Sequence, residues 1–418
     1  MDKLLEIVQG ILNMGAVVIL PIMIMIIGLI FKMKFSQALK AGLTVGIGFA
    51  GLNLVVGYLN TTITPAVEYY KSLGSGFTTV DVGWPAVGGA SWAVPFAALA
   101  IPLGIAINLL FIRLKWTKTM NVDIWNYIHF LIPAAMAYYL TGSFWFGLGI
   151  VLVLSALTLF FADKIAKSWQ EYFGLEGTTC STFTFLAWTW PVMWALNKLI
   201  DLIPGLNKVN LSVEKINQKI GNWGDPIIIG LVVGSFLGVL TKQPYSTVLS
   251  MGVGIAGVML LLPKMVGVLM EGLSPISVAV QKTLKGRVGE DADIHVGMDV
   301  ALGLGDPSVI TATVICIPIT IALAFILPNI SYFPVGMLMA ICYSAVFGAL
   351  TSKGNLLRTV IVVSIYTALT MVIADAVAPS ATIMMQGAGM QITGLATDAM
   401  FGNPWSLLIA SLFGKVAW

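Results

Sequence analysis

Long apolar segments restrict the fold of this chain more than any other feature of its sequence. Of its 418 residues, 58% are hydrophobic and only 10% are charged. Soluble domains carry about a quarter charged residues, so this composition excludes a soluble enzyme. A membrane-spanning helix needs roughly 20 apolar residues, and the apolar content is enough for about ten spans. We therefore predict an all-α polytopic membrane protein.

Apolar candidate spans alternate with segments that glycine, proline or polar residues interrupt. The candidate spans are 7–31, 41–60, 93–112, 127–141, 145–162, 226–240, 246–270, 309–327, 333–351 and 356–378, while 404–418 is either a short span or an interfacial helix. The interrupted segments are 77–92, 178–203, 295–308 and 380–402. Irregular backbone is tolerated at membrane depth only where protein or a water-filled cavity covers it. We therefore predict that these four segments are re-entrant hairpins.

The basic residues predict the orientation of the spans. Lys32, Lys34 and Lys40 lie between the first two spans, Arg113, Lys115 and Lys118 follow the third, and Lys164 and Lys167 follow the fifth. Cytoplasmic loops are enriched in Lys and Arg, so we place these groups in the cytoplasm and the N-terminus outside. Carried along the chain, this orientation leaves only Lys3, Lys71, Lys242 and Lys415 outside.

The two halves of the chain resemble each other in sequence. The matches are Gly46–Gly51 with Gly252–Gly257, Thr64-Pro65 with Ser274-Pro275, Ile101-Pro102 with Ile317-Pro318, Ala162–Ala166 with Ala374–Ala378, and Gly177 with Gly389. In the predicted orientation the Gly46 helix runs outward and the Gly252 helix runs inward, so the repeats are inverted. Inverted repeats are typical of transporters that bind their substrate near the membrane midplane.

These matches divide the chain into two repeats of about five spans, 1–205 and 223–418. Between them, residues 206–222 carry Val209, Val213, Ile216 and Ile220 at helical spacing among polar side chains. This pattern predicts an amphipathic linker helix on the cytoplasmic surface. The alternative is an ordinary solvated linker.

Two groups of polar residues in the first half are candidate substrate ligands. Asp81 and Trp84 lie in an interrupted segment, where a carboxylate is costly and usually functional and an indole can stack on a sugar. Asp123, Asn126 and His129 recur at about one-turn spacing, and His129 suits hydrogen bonding to a polyol hydroxyl or removal of its proton. The alternative for the first group is that Asp81 caps a helix at the outer surface and Trp84 belongs to the interfacial aromatic belt. The alternative for the second is a polar helix start with a hydrogen-bonded interfacial histidine.

The remaining candidates lie beside two further interrupted segments. Glu176 and Thr178 begin a run of hydroxyl side chains that suits a polyol, although helix capping and packing of small residues explain the run equally well. Asp299 and Asp306 carry negative charge in the mirror-image segment, which indicates ligand contact. His295 follows an acidic loop and is expected at the cytoplasmic surface.

Other classes of site are not indicated by the sequence. Cys180, Cys316 and Cys342 lie far apart in apolar runs, which predicts buried inert thiols. We assign no catalytic residue, metal site or cofactor. The net charge of +3 gives no reason to expect nucleic acid.

Motifs in order along nearly the whole chain resemble the galactitol-type IIC component of the bacterial phosphotransferase system, in the ascorbate/galactitol superfamily. They are 40–51, VDVGWP at 80–85, NVDIWN at 121–126 with His129, Leu175–Gly177, 221–226 and 353–359. The resemblance implies a multi-pass homodimer in the bacterial inner membrane, whose core domain carries a sugar or sugar alcohol across. It also implies a separate cytoplasmic IIB protein that receives a phosphoryl group from IIA and phosphorylates the sugar. Asp81, Trp84, Asp123, Asn126, His129 and Glu176 match the family's pattern.

The sequence departs from the galactitol-type pattern at two positions. Galactitol members carry a histidine shortly after the Glu-Gly pair, where this chain has the stretch 178–184, and another where it has Asp306. Galactitol, another alditol and a monosaccharide therefore all remain candidate substrates. An ion-coupled secondary transporter that releases unmodified sugar is the rival hypothesis, and a membrane enzyme acting on lipid is a weaker one.

Overall fold

The architecture is built mainly from helices, several of them long enough to cross a bilayer. A computed structural model describes residues 16–73, 77–123, 127–213, 226–288 and 294–417. Its α-helices are α1 (Ala16–Ile30), α2 (Phe35–Leu73), α3 (Trp84–Ser91), α4 (Ala97–Arg113), α5 (Ile128–Thr141), α6 (Phe144–Phe173), α7 (Trp190–Asp201), α8 (Pro226–Leu240), α9 (Tyr245–Val288), α10 (Pro307–Ile326), α11 (Val335–Ser352), α12 (Leu356–Ala376), α13 (Ala378–Gly387) and α14 (Pro404–Phe413).

Two helical hairpins, α1–α2 and α8–α9, pack on each other through their long second helices. The described part of α2 has 39 residues and that of α9 has 44. Small residues bring these two backbones into contact, because a Cβ on Gly48 would lie 2.7 Å from the Leu269 nitrogen and one on Gly272 would lie 2.7 Å from the Val45 nitrogen. Close backbone approach at glycine is a common way for helices to associate in membranes.

Short parallel strands connect the other helices, and the sequence analysis did not predict them. They are β1 (Thr79–Asp81), β2 (Thr119–Asn121), β3 (Thr178–Cys180), β4 (His295–Met298) and β5 (Leu395–Thr397). β1 pairs with β5, and β4 lies between β2 and β3. Each of the four interrupted segments contains one of these strands, so their glycines and polar residues mark breaks in regular helix. Whether these segments are re-entrant stays a prediction.

Two carboxylates at helix positions secure the loops that lead into this strand layer. Asp163 on α6 accepts hydrogen bonds from the Thr119 hydroxyl at 2.7 Å and from the Lys118 backbone N–H at 3.1 Å. Asp375 on α12 accepts bonds from the Ser331 hydroxyl at 2.6 Å and from its backbone N–H at 3.2 Å. Ser331 precedes Tyr332, which forms a single parallel bridge with Thr79.

The helices confirm a helical membrane protein. Within the described ranges, Phe144–Phe173, Tyr245–Ile276, Pro307–Ile326 and Leu356–Ala376 are long and apolar enough to cross a membrane. Shorter apolar helices are Pro21–Ile30, Leu99–Arg113, Ile128–Thr141, Ile227–Leu240, Ala340–Ser352 and Pro404–Phe413. Of the predicted linker helix, the described part holds a 3₁₀ turn at Leu206–Lys208 followed by extended chain, and 214–222 lies outside the described residues.

Candidate functional site

The carboxyl ends of β1 and β5 bring two aspartates together. The strands pair with Asp81 beside Thr397, so Asp398 follows at the same end. Asp81 accepts hydrogen bonds from the backbone N–H groups of Gly83 at 3.0 Å and Gly336 at 2.8 Å. Asp398 is fully buried and lies within electrostatic range of Asp81. Because two adjacent carboxylates repel each other when both are ionised, we expect this acid pair to retain one proton between them.

Glycine is required where the acid pair meets α11. A Cβ atom on Gly336 would overlap the Oδ2 atom of Asp398 and lie 2.9 Å from the Oδ1 atom of Asp81. The Oδ2 atom of Asp398 is buried and receives no N–H or hydroxyl hydrogen bond from the described residues. Its Oδ1 atom accepts the Met400 backbone N–H at 2.8 Å. Oδ2 is therefore the Asp398 oxygen on which we expect that proton.

A second pair of aspartates lies at the carboxyl ends of β2 and β4. Asp299 follows β4, and its Oδ1 atom accepts the Ala301 backbone N–H at 2.6 Å. Asp123 follows β2 and is buried. Both carboxylates lie within electrostatic range of the Cys180 thiol at the end of β3. Parallel pairing of three strands thus gathers at one edge residues that are far apart in sequence.

His129 is buried at the start of α5 beside an irregular helical turn. Its Nδ1 atom lies 2.9 Å from the Thr184 hydroxyl oxygen, and its ring meets the edge of Phe185 at a centroid distance of 5.8 Å. Phe185 begins a π-helical turn that ends at Thr189. Phe185 also lies 6.2 Å from the ring of Tyr343 on α11. Single π-helical turns are frequent at functional sites.

One face of α11 connects the two pairs of aspartates. Gly336 contacts the first pair, and Tyr343 lies within electrostatic range of Asp299 in the second. These two α11 residues are two helical turns apart on one side, which corresponds to roughly 10 Å along the axis. Ala340 lies between them on the same side of the helix.

Glu176 and Thr178 lie at the opposite edge of the three-stranded sheet. Glu176 is exposed and lines a cavity of about 770 Å³ at the amino ends of the strands, together with Lys118 and His295. Thr178 is buried, and its hydroxyl group donates to the Leu175 carbonyl at 2.7 Å. The structure therefore separates both residues from the aspartates of the second pair.

Two other candidates occupy helix starts. Asp306 caps α10 by accepting the backbone N–H groups of Ser308 at 2.8 Å and Val309 at 3.1 Å. The 3₁₀ helix Val300–Gly305 separates it from Asp299. Trp84 is partly exposed at the first position of α3.

Some sequence predictions fall outside this arrangement. Asn126 lies outside the described residues. The expectation that His295 is a surface residue is wrong, because β4 is the central strand and His295 is buried beside Gln170, with 3.1 Å between the Gln170 Nε2 and His295 Nδ1 atoms. The cysteines are free and buried, as predicted.

Sequence reasoning missed three residues of the site, namely Asp398, Gly336 and Tyr343. Asp398 lies inside the interrupted segment 380–402, so its position in that segment was an available signal. Gly336 and Tyr343 lie in an ordinary apolar span, and nothing in their local sequence separates them from packing residues.

Buried acidic residues at helix breaks inside a polytopic helical protein define a transport protein with an internal polar site. Residues 10–395 match the family model EIIC-GAT, the PTS system sugar-specific permease component. The chain belongs to this family and is a membrane-embedded sugar permease component of the phosphotransferase system.

Two relatives from Escherichia coli (strain K12) match almost the whole chain. The PTS system galactitol-specific EIIC component is 33% identical over 414 residues, which cover 98% of this chain and 91% of the relative. A putative permease IIC component is 33% identical over 409 residues, covering 95% and 92%. These findings confirm the galactitol-type resemblance and the location in the bacterial inner membrane. They favour the phosphotransferase component over the ion-coupled transporter.

Proposed function

We propose that this permease binds a sugar alcohol between the Asp81–Asp398 pair and the Asp123–Asp299 pair, and releases it to the cytoplasm. The observation that carries this proposal is the α11 face from Gly336 to Tyr343, where the Gly336 backbone N–H donates to Asp81 and Tyr343 lies within electrostatic range of Asp299. An open-chain polyol has hydroxyl groups along its whole length, and carboxylates are strong acceptors for such donors. His129 contacts both Thr184 and Phe185, and Phe185 in turn lies against Tyr343 on this face. His129 and Thr184 therefore offer further polar contacts beside it.

The relative whose name specifies galactitol supports galactitol or a closely related alditol as the substrate. The two departures from the galactitol-type histidine pattern lie differently with respect to the α11 face. Asp306 caps α10, whereas the stretch 178–184 ends at Thr184, whose hydroxyl oxygen lies 2.9 Å from the His129 Nδ1 atom beside that face. Divergence in this stretch therefore keeps alditols other than galactitol among the candidate substrates.

We infer two inverted repeats, each of which contributes one hairpin to a fixed scaffold and its other helices to a moving core. Several observations support a repeat with an offset of 210 in the first two helices of each half. α1 and α8 end at Ile30 and Leu240, α2 and α9 begin at Phe35 and Tyr245, and the turns between them hold Lys32 and Lys242 in left-handed backbone conformations. This offset differs by about one helical turn from the Gly46–Gly252 sequence match. The division into 1–205, 206–222 and 223–418 stays part of this proposal.

The hairpins α1–α2 and α8–α9 are the proposed fixed scaffold and homodimer interface, as the family resemblance implies. Large apolar side chains are exposed on both long helices, including Ile47 and Leu54 on α2 and Val253 on α9. The cavity at the amino ends of β2, β3 and β4 is the proposed cytoplasmic exit. There a separate IIB protein, which receives its phosphoryl group from IIA, phosphorylates the sugar. The negative charge of the phosphate then prevents the sugar from returning through the apolar barrier.

Titration calorimetry with galactitol, other hexitols, pentitols and hexoses tests the site. Asp299→Asn and Asp123→Asn each remove a charged acceptor, and the amide side chain introduced at position 299 retains an oxygen for the Ala301 N–H. We expect about 10- to 100-fold weaker binding, the cost of losing a hydrogen bond to a charged group. Glu68→Gln, at an exposed position on α2, is the matched control and should bind normally. Wild-type affinity in both aspartate variants would overturn the site.

A second assay tests delivery to the partner. In inside-out membrane vesicles, sugar phosphate should form only when phosphoenolpyruvate, IIA and IIB are all supplied. Accumulation of unmodified sugar driven by an ion gradient would contradict the proposed coupling.

A further inference from the structure

We propose that a basic cavity under the described part of the linker binds the phosphate of an anionic phospholipid headgroup. This linker cavity has a volume of about 440 Å³ and lies between the end of α7, the turn from α11 to α12, and the linker chain. It is separate from the proposed sugar site, so the two proposals can fail independently.

The floor of the linker cavity is a set of ordered polar side chains. Asn197 is buried, and its amide group donates to the hydroxyl oxygens of Thr351 and Ser352, each at 3.1 Å. Asn355 is also buried, and its amide group donates to the Val209 carbonyl at 2.7 Å. Because these groups are held in place, the cavity is built before any ligand enters.

Positive charge exceeds negative charge among the residues that line this cavity. Lys198, Lys353 and Arg358 are its basic residues, and Asp201 is its acidic residue. Arg358 already pairs with Asp201, since its NH1 atom lies 2.7 Å from the Oδ1 atom of that carboxylate. Asp201 also lies within electrostatic range of Lys198, and with three cations to one carboxylate the lining keeps an excess of positive charge. A phosphate group with several acceptor oxygens suits this arrangement.

The surroundings of the linker cavity favour a lipid as the source of the phosphate. Lys198 lies between Trp194 and Leu202 at helical spacing, and its ammonium group is 5.8 Å from the centre of the Trp194 ring. Trp194 is 53% exposed and Leu202 is 77% exposed, so apolar surface for acyl chains borders the cations. Tryptophan is enriched at membrane interfaces. Basic pockets on the cytoplasmic side of membrane helices are typical sites for anionic headgroups.

Thermal unfolding of the purified full chain, with added lipid or phosphate, tests the proposal. Phosphatidylglycerol, phosphatidylcholine and inorganic phosphate are compared for the wild type and for the double variant Lys198→Gln/Lys353→Asn. Asparagine suits position 353 because that residue has a φ of 51°. Lys242→Asn is the matched control, since Lys242 is exposed and has a φ of 53° in another helix–helix turn.

We expect phosphatidylglycerol to raise the Tm of the wild type and the Lys242→Asn variant more than phosphatidylcholine does, and the double variant to lose that excess. The single variant Lys198→Gln should lose part of it, which covers the case in which the double variant folds poorly. Equal stabilisation of wild type and Lys198→Gln by phosphatidylglycerol would overturn the proposal. So would an equal effect of both lipids, or a phosphate effect that phosphatidylglycerol does not exceed.

Discussion

At the scale of single residues, the acid pair illustrates how a buried carboxylate is accommodated in an apolar interior. Asp81 receives two backbone N–H groups, and Asp398 receives one. An unpaired charge at this depth would be costly, whereas a proton shared by two acids leaves one net charge surrounded by N–H donors.

The proton expected on the acid pair predicts different outcomes for substitutions at the two aspartates. Asp398→Asn supplies an amide N–H in place of the proton and should change the free energy of unfolding by less than about 1 kcal/mol. Asp81→Ala removes the acceptor of Gly83 and Gly336, at a cost of about 1–3 kcal/mol for each buried donor. Thermal unfolding should therefore give a much lower Tm for Asp81→Ala than for Asp398→Asn. The infrared carbonyl band of a protonated carboxyl should also disappear in Asp398→Asn, and its persistence there would argue against the pair.

Close packing at Gly336 predicts that even one added methyl group is harmful. Gly336→Ala forces a Cβ atom into the acid pair, and overpacking of this kind costs about 1–3 kcal/mol. Gly149→Ala is the matched control, because a Cβ there meets nothing within 4 Å and alanine is the better helix former. Thermal unfolding should show a lower Tm for the first variant and an unchanged or higher Tm for the second. Equal Tm values would contradict the overlap.

The sequence allowed some of these residues to be predicted. The sequence alone shows polar side chains that interrupt or border apolar segments, and this signal predicted Asp81, Asp123, Asp299 and His129. Asp398 pairs with Asp81 through two strands of three residues that are far apart in sequence, and such short strands have no recognisable periodicity. Glu176 was grouped with the site because it precedes the hydroxyl-rich stretch that begins at Thr178. It lies at the amino ends of the three strands, whereas Asp123 and Asp299 lie at the carboxyl ends.

At the scale of elements, the interrupted segments were predicted as breaks but not as strands. Glycine and polar residues indicate where a membrane helix cannot continue, and each break contains a strand that pairs with another break or with a loop. The pairing satisfies backbone groups that the apolar interior could not. The span positions were predictable from hydropathy, whereas the partners of each strand depend on tertiary contacts.

The loop-securing carboxylates Asp163 and Asp375 predict a matched pair of effects. Each accepts one hydroxyl and at least one backbone hydrogen bond at the entrance to a strand or bridge. Asp163→Ala and Asp375→Ala should lower the Tm by similar amounts, equivalent to about 1–3 kcal/mol each. Asp163→Asn and Asp375→Asn should recover part of the loss. A large effect at one position and none at the other would count against equivalent roles in the two halves.

The contact between α7 and α12 predicts acid sensitivity of the linker. The hydrogen bond from Arg358 lowers the pKa of Asp201 below its ordinary value. Because the folded-state pKa is the lower one, the contact stabilises the fold above the ordinary carboxyl pKa of about 3.9 and is lost as pH falls through the lowered value. Hydrogen exchange at the Leu356 amide, which donates to Leu211, should therefore accelerate only below about pH 4, after correction for intrinsic rates. In Asp201→Asn it should already be faster at pH 7, and an unchanged rate would refute the linkage.

At the scale of the whole molecule, the inferred inverted repeats predict that equivalent turns lie on opposite sides of the membrane. Ser36 follows the α1–α2 turn and Ser246 follows the α8–α9 turn, and both residues are exposed. Cys180, Cys316 and Cys342 are buried, so the unmodified chain is a suitable background for labelling with a membrane-impermeant maleimide. Positive charge beside Ser36 predicts the cytoplasm for that turn.

Labelling of intact and permeabilised cells should therefore separate Ser36→Cys from Ser246→Cys. We expect the Ser246→Cys variant to react in intact cells, because its turn lies outside, and the Ser36→Cys variant to react only after permeabilisation. The unsubstituted chain provides the background in both conditions. Reaction of both variants from the same side would mean that the helical hairpins run in the same direction, so the repeats would be parallel. The two halves of the chain would then have the same orientation, which would contradict alternating access based on inverted repeats.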